Sequence, residues 1–386
     1  MALDWPDPKT DERKFARISV FITAEVAIRC HVQFVSEVKL QRRIPNWVVK
    51  GFLALCLLVM GNSLFAHLSI ETAADYSREK NEFALIVARD GRIIYERYGK
   101  GTSASTPQRI YSGTKGFWCV LAMAAQQDNI LRLDNLVGKS LPDWRKGEKA
   151  KVSIRELLNF TSGLPPTNAL HGMVRGDRDQ YARHLQLQGA PGSLFQYGPA
   201  SLQVFDAVLD RQLEKLGLSS VQYLNSRLLL PLGIPLRGYS PDIRGHPLLA
   251  ASFTLTAREW LRFGNFLARS GIGGPLPIFP IVSSTELSEC FQGSTANPMF
   301  GMGFWLNRHA KSTGATEVSI ESNLCMIRWP REACISRNAP AELIAAVGSY
   351  GQRLYIVPSE KLVIVRLGNA MNFSDAEFLK RLYSRK

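Results

Sequence analysis

The 386-residue chain contains no G-x-S-x-G, no H-E-x-x-H and no C-x-x-C. The first absence removes the strained elbow that presents a serine in α/β-hydrolases. The second removes the paired histidines of helical zinc proteases, and the third the usual cysteine spacing of a zinc ribbon. Histidine is scarce as well. Its six copies, at 31, 67, 171, 184, 246 and 309, are scattered, so neither a Ser-His-Asp triad nor a carboxylate-bridged metal site has a pattern behind it. The expectation is chemistry without a metal or an organic cofactor. Charge is unbalanced, with 47 Lys and Arg against 33 Asp and Glu and a formal net charge of +14. Yet no run of five like charges occurs and no basic stripe alternates with aromatics, which excludes a phosphate-tracking surface; no nucleic-acid partner is expected. The densest basic patch, WRKGEKAK at 144–151, reads as a solvated loop. Low-complexity tracts are missing too, and with 46% apolar residues the chain is long enough to bury a large core.

Long apolar runs are lacking except for one. Arg42, Arg43 and Lys50 precede an uncharged apolar run from Gly51 to Gly61, followed by a small-residue stretch ending at Ala66. That order is the one found in an export signal. Its 11 residues fall short of the roughly 20 that span a bilayer, although counting on to Ala66 makes a membrane anchor the alternative. The first 46 residues, ahead of Trp47, exceed an ordinary signal's first region. Either translation begins near Val48 or Val49, or these residues form a cytoplasmic tail. Both readings place the functional part, residues 67–386, in the periplasm or cell envelope, with 1–66 as a leader or anchor. Beyond it lie Cys119, Cys290, Cys325 and Cys334. The last two, in CMIRWPREAC, are close enough to close a small disulfide loop in an oxidising compartment; the alternative is two buried thiols.

The pattern divides the rest of the chain into three. NEFALIVARDGRIIYERYGKG, 81–101, reads as a hairpin about Asp90-Gly91. From about 112 to 270 apolar residues recur at helical spacing, as in SLQVFDAVLDRQLEKLG and TAREWLRFGNFLARSG. From about 300 strands return, in QRLYIVP and KLVIVRLG around Pro358-Ser359-Glu360. A last helix is opened by the capping box Ser374-Asp375-Ala376-Glu377. Strands at both ends and helices between them predict an α+β fold: one antiparallel sheet (about 80–105 and 300–386) flanked by terminal helices, carrying an inserted helical lobe (about 106–299).

S-x-x-K occurs three times, at 36–39, 77–80 and 112–115. Only the third opens an apolar helix, where a three-residue step brings a lysine amine beside a serine oxygen. Burial and the positive end of the helix dipole both favour a neutral, basic Lys115, which could take the proton of Ser112. On the motif alone, Ser112 could equally be a helix cap.

The surrounding residues decide between these. RIYSGTKGFWCVLAMAAQQDNILRLDNLVGKSLPDW, then IRELLNFTSGLPP, then PGSLFQYGPASLQVFDAVLDRQLEKLG, resemble in content and order the serine β-lactamase and penicillin-binding-protein superfamily, especially its class C and esterase-like branch. The likeness runs from about residue 81 to the C-terminus. It implies a β-lactamase/transpeptidase-like fold and an acyl-enzyme mechanism in which Ser112 is the nucleophile. Where the family has Tyr-x-Asn, this chain supplies Tyr197 and puts Pro199 in place of the asparagine. A phenol beside a lysine ammonium is expected to ionise below its usual pKa and to shuttle protons. The third family motif falls at Ala346-Val347-Gly348-Ser349. There Gly348 would let substrate approach the strand, and the backbone N-H of Ser349 would join that of Ser112 in an oxyanion hole. Ala346 replaces the cation that β-lactam-recognising members use for the substrate carboxylate. The resemblance therefore implies an exported esterase or amidase acting on a small-molecule or peptide-like substrate. A D-alanyl-D-alanine carboxypeptidase or β-lactamase is the alternative within the class, and a non-catalytic envelope-binding or sensor domain the alternative outside it.

Overall fold

A computed structural model describes residues 68–269 and 281–384. The export segment and the first S-x-x-K lie outside the described residues. Among the described helices none is long and apolar enough to cross a membrane.

The chain enters through α1 (Ile70–Glu79) and the hairpin β1 (Glu82–Arg89) and β2 (Arg92–Tyr98). Asp90 and Gly91 both have positive φ, 51° and 77°, the conformation that lets a two-residue turn follow the twist of its strands. The sheet is completed by residues from the other end of the sequence: β3 (Trp305–Leu306), β4 (Ile344–Gly348), β5 (Gln352–Val357) and β6 (Leu362–Gly368). Its order is β2-β1-β6-β5-β4-β3 and every pairing is antiparallel, with β1 meeting β6 from Glu82↔Gly368 to Arg89↔Leu362. β4, β5 and β6 are buried on both faces, so their β-branched runs have no polar alternation.

The lobe between these strands contributes α2 (Lys115–Gln127), α3 (Ile154–Leu158), α4 (Arg178–His184) and α5 (Ala200–Leu213). Two further helices, α6 (Ala257–Ala268) and α7 (Ser284–Glu289), precede the return to the sheet. α6 departs from the expected division at 106–299, because it packs on β1, β5 and β6. Gly264 makes that possible: a Cβ there would sit 2.4 Å from Val363 and 2.7 Å from Leu354. α1 and the last helix, α8 (Asp375–Leu382), cover the opposite face, where Tyr355 stacks on Phe378 and Arg366 reaches Ser77. Only half of the expected capping box forms on α8. The Ser374 hydroxyl accepts from the Glu377 amide at 3.2 Å, but the Glu377 carboxylate turns to Arg381 instead.

No disulfide links the described cysteines. Cys325 is exposed and Cys334 buried, both free, so the predicted small loop is not closed. The two thiols that do meet are Cys119 on α2 and Cys290 after α7, 2.6 Å apart in the core.

Candidate active site

Ser112 lies in a single 3-10 turn, Tyr111–Thr114, and Lys115 begins α2 directly after it. The serine is therefore not a cap; Thr114 holds the N-cap position and makes no side-chain capping bond. Two features lock this corner. Tyr111 has φ 46°, a left-handed conformation that costs a non-glycine residue about 1–3 kcal/mol and must be held by its surroundings, here the Tyr350 ring at 5.2 Å. Gly113 and Gly116 leave no space for side chains, since a Cβ on them would meet Trp260 at 2.6 Å and Phe304 at 2.7 Å.

The Lys115 side chain is 3% exposed, and its Nζ lies 2.8 Å from the Ser112 Oγ. It also donates to the Ala250 carbonyl at 2.7 Å and stands 4.6 Å from the centre of the Tyr197 ring. Burial lowers its pKa from 10.5 to about 7, and no carboxylate contributes a compensating pull. Desolvation thus brings a substantial share of the amine into the expected neutral form near pH 7.

Tyr197 is brought to the same place by LLNFTSGL. A full capping box, Ser153 with Glu156, starts α3. The chain then reverses at Phe160 (φ 62°), whose carbonyl accepts from the Gln196 amide, and the Ser162 hydroxyl pairs with Ser201 on α5. Phe160 stands perpendicular to the Tyr197 ring at 5.3 Å, with Phe300 and Trp305 also around it at 5.9 and 5.8 Å. The motif is scaffolding for the tyrosine. Pro199, in place of an asparagine, is the N-cap residue of α5. The electrostatics of Tyr197 correct the sequence expectation. Burial of its hydroxyl end raises its pKa above 10; the hydrogen bond with Ser112 opposes this, and the Glu321 charge adds to it. At neutral pH the phenol keeps its proton.

The end of β4 closes the site. Gly348 is required by backbone contact, because a Cβ would come within 2.0 Å of the Ile110 carbonyl, two residues before the nucleophile position. Ser349 follows at the start of a turn in which Tyr350 and Gly351 both have positive φ, 64° and 78°. Such a turn points successive amides at one anion. Here the anion is the protein's own: Tyr350 and Gly351 donate to the Glu321 carboxylate at 3.2 and 3.1 Å, and Arg353 approaches it at 2.7 Å. The Ser349 amide is not among those donors. Ala346 is fully buried in β4. Glu321, which sequence reasoning missed, lies in an irregular stretch with no motif around it.

Comparison with known proteins follows this geometry. A family profile described as Beta-lactamase matches residues 70–384. Protein flp of Staphylococcus aureus is 22% identical over 188 residues, 42% of this chain and 36% of flp. Monacolin J acid methylbutanoyltransferase of Aspergillus terreus is 27% identical over 198 residues, 39% of this chain and 46% of that protein. The matched stretch thus covers less than half of each of these relatives. Among solved structures, EstCE1, described as a hydrolase with promiscuous acyltransferase activity, superposes with a TM-score of 0.58 at 18% identity, covering 81% of this chain and 99% of its own. The chain belongs to the Beta-lactamase family.

Proposed function

We propose that the protein is an exported esterase that works through an acyl-enzyme on Ser112 and prefers uncharged, short acyl esters to β-lactams and peptidyl carboxylates. The observation that carries the mechanism is the buried Lys115 amine, 2.8 Å from Ser112 and with a pKa of about 7. One of its hydrogens is spent on Ala250 O, which leaves its lone pair for the serine proton. Ser112 Oγ attacks the ester carbonyl as its proton passes to Lys115 Nζ, and the oxyanion is received by the backbone N-H groups of Ser112 and Ser349. Tyr197, protonated because its hydroxyl is buried, gives its proton to the departing alkoxide and is reprotonated from the lysine ammonium. Water, or another hydroxyl acceptor, reverses the sequence to release the acyl group. The acyltransferase names among the relatives support the second acceptor.

The preference rests on Glu321. Its carboxylate occupies the anion-binding turn at 350–351 and faces Arg353, so a substrate carboxylate would meet a negative charge where it needs donors. This favours an ester over the carboxypeptidase or β-lactamase alternatives. The test is intact mass after treatment with an activated phosphonate, together with kcat/KM for a p-nitrophenyl ester and a chromogenic cephalosporin. A single adduct lost in Ser112→Ala and a faster ester reaction are expected. An adduct that survives Ser112→Ala would overturn the nucleophile, and a cephalosporin rate at or above the ester rate would overturn the preference.

A further inference from the structure

Away from Ser112, the helical lobe contains a cavity of about 350 Å³ lined in part by Asp177, Asp179, Asp210 and His246. These residues come from the start of α4, from α5 and from the loop that ends at Ala250, so nothing in the linear sequence groups them. Single ligand atoms of Asp179, Asp210 and His246 all lie within 4.8 Å of one another. Three atoms within that distance of one another lie at most about 2.8 Å from a common centre, against roughly 2.1 Å for a metal–ligand bond, so closure onto an ion needs each to move about 0.7 Å or less.

We propose that the carboxylates of Asp179 and Asp210 and the Nε2 of His246 bind one divalent cation of the manganese or zinc type. Three observations support this reading. The surrounding groups already orient these three side chains as ligands: Asp179 Oδ1 accepts from Gln203 Nε2 at 2.7 Å and Asp210 Oδ1 from the Ser220 amide at 2.5 Å. The other ring nitrogen of His246, Nδ1, lies 3.5 Å from both Asp177 Oδ1 and Asp242 Oδ2 without a hydrogen bond to either, so a small shift would give it the carboxylate backing that a metal-bound imidazole uses to fix its tautomer.

The second observation lies beneath the cluster. Asp206, one helical turn before Asp210 on α5, is fully buried, and neither carboxylate oxygen has a hydrogen-bond partner among the described residues. It sits among the same groups, feeling the charges of Asp179, Asp210 and Asp242, while the Ser220 hydroxyl beside it makes no hydrogen bond of good geometry. Gln203 Oε1, on the same face of α5 and also buried, is unpartnered too.

The third is charge balance. Asp179, Asp206 and Asp242 act on one interior guanidinium, Arg178, whose Nε and Nη1 are committed to the carbonyls of Leu170, Ser240 and His246. The other arginines lining the cavity, Arg183 and Arg211, are paired with Asp143 and Glu214. Asp177 and Asp210 line the same cavity, so carboxylates outnumber the cations beside it. One imidazole with carboxylates suits manganese or zinc better than magnesium. The ion would tie α4 and α5 to the loop that, four residues after His246, presents the Ala250 carbonyl to Lys115.

The test is calorimetric titration of the whole, chelator-treated protein with Mn²⁺, Zn²⁺ and Mg²⁺ at pH 7. Mn²⁺ or Zn²⁺ should bind one per chain and raise the melting temperature. Binding should weaken at least tenfold in Asp210→Asn and in His246→Gln. It should be unchanged in Glu214→Gln, which lines the same cavity, and in Ser112→Ala. Absence of stoichiometric binding to the unaltered protein at millimolar metal, which needs no variant to be folded, would overturn the site. So would equal affinity in folded Asp210→Asn and His246→Gln proteins.

Discussion

Replacing Lys115 by methionine should make the protein more stable and nearly inactive. The unfolded lysine holds its proton up to pH 10.5, whereas the folded one releases it at about pH 7, so across that interval unfolding takes up a proton and stability rises with pH. At pH 8 the folded state carries about 2.5 pH units of this penalty, or about 3 kcal/mol at 1.36 kcal/mol per unit. Methionine fills a similar volume without charge. It forfeits the hydrogen bond to Ala250 O, worth about 1 kcal/mol, leaving a net gain of about 2 kcal/mol. At pH 10 only about half a unit of penalty remains, under 1 kcal/mol, and the lost hydrogen bond cancels it. Denaturant unfolding of both proteins at pH 8 and pH 10 measures the difference, and ester hydrolysis should fall about a hundred- to ten-thousandfold. A Lys115→Met protein that is less stable than its parent at pH 8, or whose gain grows on going to pH 10, would refute a neutral buried lysine. In the parent, kcat/KM should climb with pH through about 7 as the amine loses its proton.

The second S-x-x-K provides a control: Ser77 is buried in α1 and accepts from Arg366 Nε at 3.0 Å, so Ser77→Ala should lose about 1.5–3 kcal/mol of stability by urea titration while its kcat is retained. Ser112→Ala should show the reverse, an unaltered fold and no turnover. Glu321→Ala should release the amides of Tyr350 and Gly351, while Arg353 stays paired with Asp375, raising the cephalosporin-to-ester ratio of kcat/KM about tenfold or more; an unchanged ratio would remove Glu321 from specificity. For the cysteines, burial and the neighbouring Cys290 raise the Cys119 thiol well above its usual pKa, so iodoacetamide at pH 8 should label the exposed Cys325 in the native protein and reach Cys119 only after unfolding, as read by peptide mass mapping.

The parts legible in the sequence are those written in short-range pattern. Asp90-Gly91 announces its hairpin because the turn needs two positive φ values, and the α5 and α6 segments announce helices by their spacing. Ser112 and Lys115 are one turn apart in the chain and meet for that reason. What escaped depends on residues that only the tertiary structure brings together. The pKa of Tyr197 runs opposite to the expectation because its hydroxyl end is buried, a cost its neighbours do not offset. Ala346 has the right place in the motif order, and like every residue of β4 it is buried. Cys325 and Cys334 are near in sequence and unbonded, while Cys119 and Cys290, 171 positions apart, touch. Glu321 and the aspartate cluster carry no local signature.

The sheet described above has a temporal consequence. β1 is an interior strand whose partner, β6, is made almost 280 residues later, and the first ordered turn is held by the last: the Ser69 amide donates to Leu382 O at 2.7 Å. Loop closure over such a span is slow, and until it happens FALIVA is an unpaired apolar edge. A chain emerging N-terminus first therefore presents its nucleophile turn long before β4 exists to support it, and hydrolysis switches on only when the final forty or so residues arrive. Loss of even α8 should leave a polypeptide that aggregates and not a weakened enzyme, whereas joining Ser384 to Ser69 and opening the ring in a lobe loop should shorten the wait.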